Sequence, residues 1–261
     1  MAFLQIQFFS DVLNVASTVN VIMPEANQGI GIDASGNHAK RRELPGVLYL
    51  LHGYSDDHTI WMRRTSVERY AAAHNLAVIM PAVNHSFYCN EVHGERYWDY
   101  VSEELPATMQ RFLRVSDRPE DTFVAGLSMG GYGAMRLALT YPERFAAAGS
   151  FSGAVDISWI VDRHGEDGTG DRIFGDKTDI RNSEVDTHWL MRKSAEAPRK
   201  PRLYVSCGTK DFLYDAHRAF VPALEKNGWN VTRHDEPDAV HEWGFWDREI
   251  EKFIQFIYSG E

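Results

Sequence analysis

Ser128 is the residue around which this sequence arranges chemistry. It lies in Thr122-Phe-Val-Ala-Gly126-Leu127-Ser128-Met129-Gly130-Gly131-Tyr132-Gly133, where a β-branched run gives way to a Gly-rich turn and then to a helical stretch. The pattern is G-x-S-x-G, in which a serine on a sharp strand-to-helix turn holds its hydroxyl exposed. Gly126 and Gly130 leave room beside such a turn, and a helix starting after Ser128 would aim free backbone N–H groups at a developing oxyanion. The competing reading is a purely structural Gly-rich turn.

A serine hydroxyl near its free pKa is a poor nucleophile, so it needs a base and an acid to orient that base. Leu203 to Ser206 reads as a strand and runs into Cys207-Gly208-Thr209-Lys210-Asp211, placing a carboxylate just past a strand's C-terminal end. Open α/β sheets bind their ligands there, and Asp211 is the candidate acid. Asp215 falls where the next helix should begin and reads as a helix N-terminal charge. His241 follows the loop after the last strand and is the candidate base, whereas His234 sits inside the strand pattern and reads as structural. Two backbone donors complete the set. One is the N–H of Met129, and the other comes from the loop His52-Gly53-Tyr54-Ser55, where Gly53 allows a tight turn and the Tyr54 N–H is the best placed.

Positioning these groups requires a sheet. Apolar runs at Phe3 to Phe9, Thr18 to Met23, Val47 to Leu51, Ala77 to Met80, Thr122 to Ala125, Ala146 to Ser150, Leu203 to Ser206 and Val231 to His234 predict eight strands. Helical stretches at Ser66 to His74, Ser102 to Leu113, Tyr132 to Thr140, Ala216 to Asn227 and Trp246 to Tyr258 alternate with them from the third strand onward. Such alternation predicts an α/β fold with a mostly parallel sheet and helices on both faces. The first two strands, with no helix between them, predict an antiparallel hairpin at one edge. All 261 residues read as one domain, with Glu25 to Gly46 an enlarged surface loop and Asp156 to Lys200 a cap-like insertion between strands six and seven.

Composition narrows the partners. A net charge of −10 argues against a nucleic-acid backbone, and Lys40-Arg41-Arg42 followed by Glu43 reads as a solvated loop edge. No stretch approaches the length of an apolar membrane span, and Met1 to Phe8 alternates rather than forming a signal-peptide run. Two cysteines, Cys89 and Cys207, make no disulfide framework, so a reduced cytoplasm is the expected location. His85, Cys89 and His93 have spacing that suggests metal ligands only on a helix, which Asn84, Ser86, Asn90 and Gly94 disfavour; a polar loop over the site is expected there. The Asp- and Gly-rich stretch from Asp162 to Asp176 lacks an EF-hand pattern and reads as a solvated cap loop. Trp61, Phe87, Tyr88, Trp98, Trp159 and Phe212 fall on loops that should gather at the site and are expected to line a pocket.

With these residues in place, the chain resembles the esterase D family, which includes S-formylglutathione hydrolases, and within it the bacterial tributyrin-esterase-like carboxylesterases. The resemblance rests on Val47-Leu-Tyr-Leu-Leu-His52-Gly53, Glu103-Glu104-Leu105-Pro106, Ala125 to Gly133, Phe151-Ser152-Gly153, Cys207-Gly208-Thr209 with Asp211-Phe212, and His241-Glu242-Trp243. It implies the α/β-hydrolase fold and hydrolysis of short-chain acyl esters or thioesters through an acyl-serine, with no metal or other cofactor. It also implies Ser128, Asp211 and His241 as the triad and Tyr54 and Met129 as oxyanion donors. A small-molecule ester is the expected partner, and a homo-oligomer is compatible with the sequence.

Overall fold

A computed structural model describes residues 1–25, 44–158, 161, 168–177 and 179–259. The loop expected at 25–46 therefore lies largely outside the described residues, as do Lys40-Arg41-Arg42 and Trp159. The strands are β1 (Ala2–Ser10), β2 (Val15–Met23), β3 (Gly46–Leu51), β4 (Leu76–Pro81), β5 (Thr122–Leu127), β6 (Ala147–Phe151), β7 (Arg202–Gly208) and β8 (Val231–Glu236). They form one sheet in the order β1-β2-β4-β3-β5-β6-β7-β8. β1 and β2 form the expected antiparallel hairpin, β2 runs antiparallel to β4, and every pairing from β4 to β8 is parallel.

Strands β3 and β4 are buried along their whole length because helices cover both faces, which is why they read as continuous apolar runs. Alternate side chains of one strand enter opposite layers. Val47, Tyr49 and Leu51 join one apolar cluster, while Leu48 and Leu50 join the other.

The helices that follow β3 are α1 (Ile60–Arg64), α2 (Val67–Ala72), α3 (Tyr97–Asp99) and α4 (Leu105–Phe112). Later come α5 (Met129–Thr140), α6 (Thr169–Phe174), α7 (Thr187–Lys193), α8 (Tyr214–Lys226) and α9 (Trp243–Tyr258). α1, α2 and α9 cover one face; α4, α5, α7 and α8 cover the other.

The helix expected at Ser102 to Leu113 is instead α3 and α4 joined by a π-helical turn, Tyr100–Glu104. Pro106 explains the break: it has no N–H for the Ser102 carbonyl four residues back, and Arg144 Nη1 donates to that carbonyl instead at 2.9 Å. α5 begins at Met129, three residues before the expected start, because its Gly-rich first turn is packed tightly enough to stay helical. α1, α6 and α7 have too few residues to show a periodic pattern and were not predicted. Among the described residues no helix is long and apolar enough to cross a membrane.

Candidate active site

The strand order reverses at β3: the chain moves to one side for β4 and to the other for β5. A crevice results outside the carboxyl ends of β3 and β5, the place where such sheets bind ligands. The parallel register sets Leu51 beside Gly126, Leu127 beside Phe151 and Phe151 beside Ser206. The loops carrying Gly53, Ser128, Ser152 and Asp211 therefore leave the sheet on one edge.

Ser128 occupies the turn between β5 and α5 with φ 52° and ψ −118°, a conformation that costs free energy in a residue with a Cβ. The surroundings hold it there. Its N–H donates to Phe151 O (2.9 Å), and its carbonyl accepts from Tyr132 N (3.1 Å) and Ala154 N (3.0 Å). The two flanking glycines are demanded by contact rather than by φ. A Cβ on Gly126 would lie 2.5 Å from the Gly130 carbonyl, and one on Gly130 would lie 2.3 Å from Leu51 O.

Gly53 opens the expected tight turn, closed by Asp56 N donating to its carbonyl, but the glycine is again demanded by contact. Its φ is ordinary, and a Cβ there would strike Leu127 Cδ1 at 2.6 Å and sit 3.8 Å from the Ser128 Cβ. The backbone of this loop is thus pressed against the serine.

His52 aims that backbone. Val83 N donates to His52 Nε2 (3.0 Å), so the proton resides on Nδ1, which donates to Gly53 O at 2.7 Å. Asp56 N also donates to Gly53 O (3.2 Å). In a planar trans peptide the next N–H points opposite to the carbonyl, so fixing Gly53 O fixes the direction of the Tyr54 N–H. Burial lowers the His52 pKa to about 4, and the ring stays neutral and keeps this tautomer. Met129, the first residue of α5, supplies a second N–H that has no carbonyl within the helix to bond.

His241 Nδ1 lies 2.8 Å from Asp211 Oδ2. The Asp211 side chain is fully buried, and burial alone would raise its pKa. Hydrogen bonds from His241, from Leu213 N and from the Ser152 hydroxyl instead carry it below the ordinary carboxylate value. Ser152 is itself held at φ 45° and accepts from Trp246 Nε1 at 3.2 Å. The Trp246 indole also stands edge-on to the His241 ring, with centroids 4.8 Å apart. Asp215 lies exposed in the first turn of α8, as its spacing predicts.

Two further histidine–carboxylate pairs occur among the described residues. His217 Nε2 pairs with Asp235 (2.8 Å), and His234 Nδ1 pairs with the buried Glu249 (3.1 Å). Both are packed between strand and helix, away from the serine turn. Chain position relative to the strand ends separates His241 from them.

A serine on a strained turn, a histidine hydrogen-bonded to a buried carboxylate and two free backbone N–H groups can together perform acyl transfer. The family model for Esterase matches residues 15–252. This chain belongs to the Esterase family. An acetyl esterase of Caldicellulosiruptor saccharolyticus is 29% identical over 268 residues, with 98% of this chain and 98% of that protein covered. Two solved structures from Staphylococcus aureus are each 34% identical, with 98% of both chains covered. They are the substrate-bound fluorophosphonate-binding serine hydrolase FphF, with a TM-score of 0.87, and the S-formylglutathione hydrolase FrmB, with 0.83. The chain is a serine carboxylesterase of the α/β-hydrolase fold.

Within this esterase the six aromatic residues expected to line a pocket divide. Phe212 is 75% exposed and lies against the His241 ring (4.6 Å), at the mouth of the site. Phe87 is buried behind Tyr54 (5.6 Å), whose ring also stacks on His85 (4.3 Å) and whose hydroxyl meets Thr169 Oγ1 (2.7 Å). Trp61 and Tyr88 are core residues instead. Trp61 Nε1 donates to Leu51 O (3.0 Å) and Tyr88 OH to His52 O (2.9 Å), so both brace the loop behind Gly53. Trp98 lies under Arg136 (3.8 Å) and stacks on Tyr141, beside the far half of α5.

The loop after β4 was expected to be a polar loop over the site, but residues 86–89 are buried, with Phe87 and Tyr88 both at positive φ. Arg136 is the reason: its guanidinium donates to Tyr88 O (2.7 Å) and Glu184 O (3.0 Å) and pins the loop to α5. Cys89 Sγ faces Phe87 O and Tyr132 rather than His85 or His93. The described part of the segment expected as a solvated cap loop includes α6, whose Ile173 O and Arg172 O accept from Val92 N and His93 N.

His52, Ser152, Trp246 and Asp56 were not singled out as functional from sequence. Three of them stand in or beside quoted motifs, but only packing gives them partners. The Asp56 carboxylate accepts the Gly53 N–H and faces His241 and Arg64, and burial raises it above its ordinary value.

Proposed function

We propose that Ser128 is the nucleophile, His241 the general base and Asp211 the acid that orients it, acting on short-chain acyl esters. The 2.8 Å pairing of His241 with the buried Asp211, on the sheet edge that carries the strained Ser128 turn, is the observation that carries this reading. His241 Nε2 takes the Ser128 proton as Oγ attacks the ester carbonyl, and the Tyr54 and Met129 N–H groups receive the oxyanion. Collapse breaks the ester bond, and His241 gives its proton to the departing alcohol. Water then repeats the attack on the acyl-serine and releases the carboxylic acid. The likeness to an acetyl esterase favours a small acyl group. A cytoplasmic setting fits Cys89 and Cys207, both buried and unpaired.

A thioester substrate is the second reading, favoured by the likeness to the S-formylglutathione hydrolase FrmB. A panel of p-nitrophenyl esters from acetyl upward, with S-formylglutathione, feruloyl and acetylated-sugar substrates added, separates the two. Short esters should be turned over fastest, with activity falling steeply as the acyl chain lengthens. Ser128→Ala should lower turnover at least about 10⁴-fold and abolish organophosphonate labelling while the circular dichroism spectrum stays unchanged. Labelling that persists in this variant overturns the assignment.

A further inference from the structure

β1 is the outermost strand of the sheet, and its outer edge has no strand partner among the described residues. Exposed edges are ordinarily blunted by charge, proline or bulges. The opposite edge obeys that rule, since β8 carries Arg233, His234, Asp235 and Glu236. Nine-residue β1, Ala-Phe-Leu-Gln-Ile-Gln-Phe-Phe-Ser, carries no charge and no proline, and it pairs with β2 at every residue without a bulge.

Its apolar side chains are left uncovered. Phe3 is 52% and Phe9 61% exposed on one face, and on the other Leu4, Ile6 and Phe8 are only partly buried, with Phe112 (50% exposed) edge-on to Phe8. The strand is also held firmly at its far end, where Glu104 accepts from the Ser10 hydroxyl and from Asp11 N (2.7 Å). An edge that is already ordered loses little further entropy when it pairs.

The sequence of β1 is a chemical palindrome about Ile6. Antiparallel pairing of two copies across a two-fold axis at Ile6 sets Phe3 against Phe9, Leu4 against Phe8, Gln5 against Gln7 and Ile6 against itself. From Phe3 to Phe9 every cross-strand pair then matches aromatic with aromatic, apolar with apolar or amide with amide, the combinations that stabilise neighbouring strands, and only the end pair of Ala2 with Ser10 departs from the pattern. A two-fold contact requires this self-complementarity, because the same patch serves both partners. A foreign peptide would have no need of it. We propose that a second copy of this chain pairs along β1 in this register, joining two eight-stranded sheets into one.

Sedimentation equilibrium tests the proposal. Wild-type protein should behave as a dimer. Gln5→Lys/Gln7→Lys, at two exposed positions, opposes like charges twice across the axis and should raise the dimer dissociation constant about tenfold or more. Gln5→Lys/Gln7→Glu opposes unlike charges in the same register and should restore the dimer. Ester turnover and thermal midpoint of the isolated variants report that each has folded. A monomeric wild type, or a dimer indifferent to the double lysine variant, overturns the surface; failure of the Lys/Glu variant to dimerise overturns the Ile6-centred register.

Discussion

Asp211 owes its charge to its neighbours. The carboxyl is buried, yet His241, Leu213 N and Ser152 give it enough hydrogen bonds to stay ionised. In Asp211→Asn the amide can present its N–H where the carboxylate accepted, which turns His241 to the wrong tautomer. The expected loss is about 10⁴ in kcat with little change in KM, read from steady-state kinetics on a short p-nitrophenyl ester. Ser152 and Trp246 touch no reacting atom and act as positioning residues. Ser152→Ala should lower kcat about tenfold and leave KM unchanged, and a variant with wild-type kcat would show the Ser152 hydroxyl to be dispensable. The role proposed for Tyr54 uses its backbone N–H, so Tyr54→Phe, which removes only the hydroxyl bonded to Thr169, should keep kcat within a few-fold of wild type.

At the scale of elements, the crossing of β3, β5 and α5 decides whether the serine turn can form. Gly130 is the contact point, because the first turn of α5 passes so close to the end of β3 that a Cβ would overlap Leu51 O. Neither atom belongs to a flexible side chain that could swing away. Gly130→Ala should therefore destabilise the protein by about 3 kcal/mol or more and abolish turnover, as measured by urea denaturation and ester hydrolysis. The loop after β4 is coupled to the same elements through Arg136 and His52. This explains why a segment that looks polar in sequence is buried: the Arg136 guanidinium donates to Tyr88 O and the neutral His52 imidazole accepts from Val83 N, satisfying backbone groups that would otherwise need water.

For the whole molecule, buried neutral histidines tie stability to pH. The unfolded chain binds a proton at His52 near pH 6.5, whereas the native protein resists until about 4. Below 6.5 the unfolded state therefore binds more protons, and stability falls as pH drops through that window. His52 alone accounts for about 3 kcal/mol by the acid end. His217, lowered by burial despite Asp235, acts in the same direction. Asp235, with its pKa pulled down to about 2, adds stability that is complete above the ordinary carboxylate value near 3.8 and is lost only below it. Chemical denaturation at pH 7 and at pH 4.5 should show the decline, and His52→Gln should flatten it. An unchanged pH dependence in that variant would contradict the assignment of His52 as the buried neutral group.

The sequence by itself determined the eight strands, their mostly parallel arrangement and the identities of Ser128, His241 and Asp211 as candidates. Period, turn chemistry and chain order are local properties, and each leaves a mark within a few residues. The short helices α1, α6 and α7 left none, since five to seven residues hold too little periodicity to read. Tertiary structure alone decided which aromatic residues face the site and which brace it. Trp61 and Tyr88 carry donors that Phe212 lacks, but only the fold supplies the backbone carbonyls of Leu51 and His52 that they bond. It also gave His52 and Ser152 their partners. Hydrogen bonds across 30 or more residues, such as Val83 N to His52 and His241 to Asp211, exist only once the sheet has brought the strand ends together.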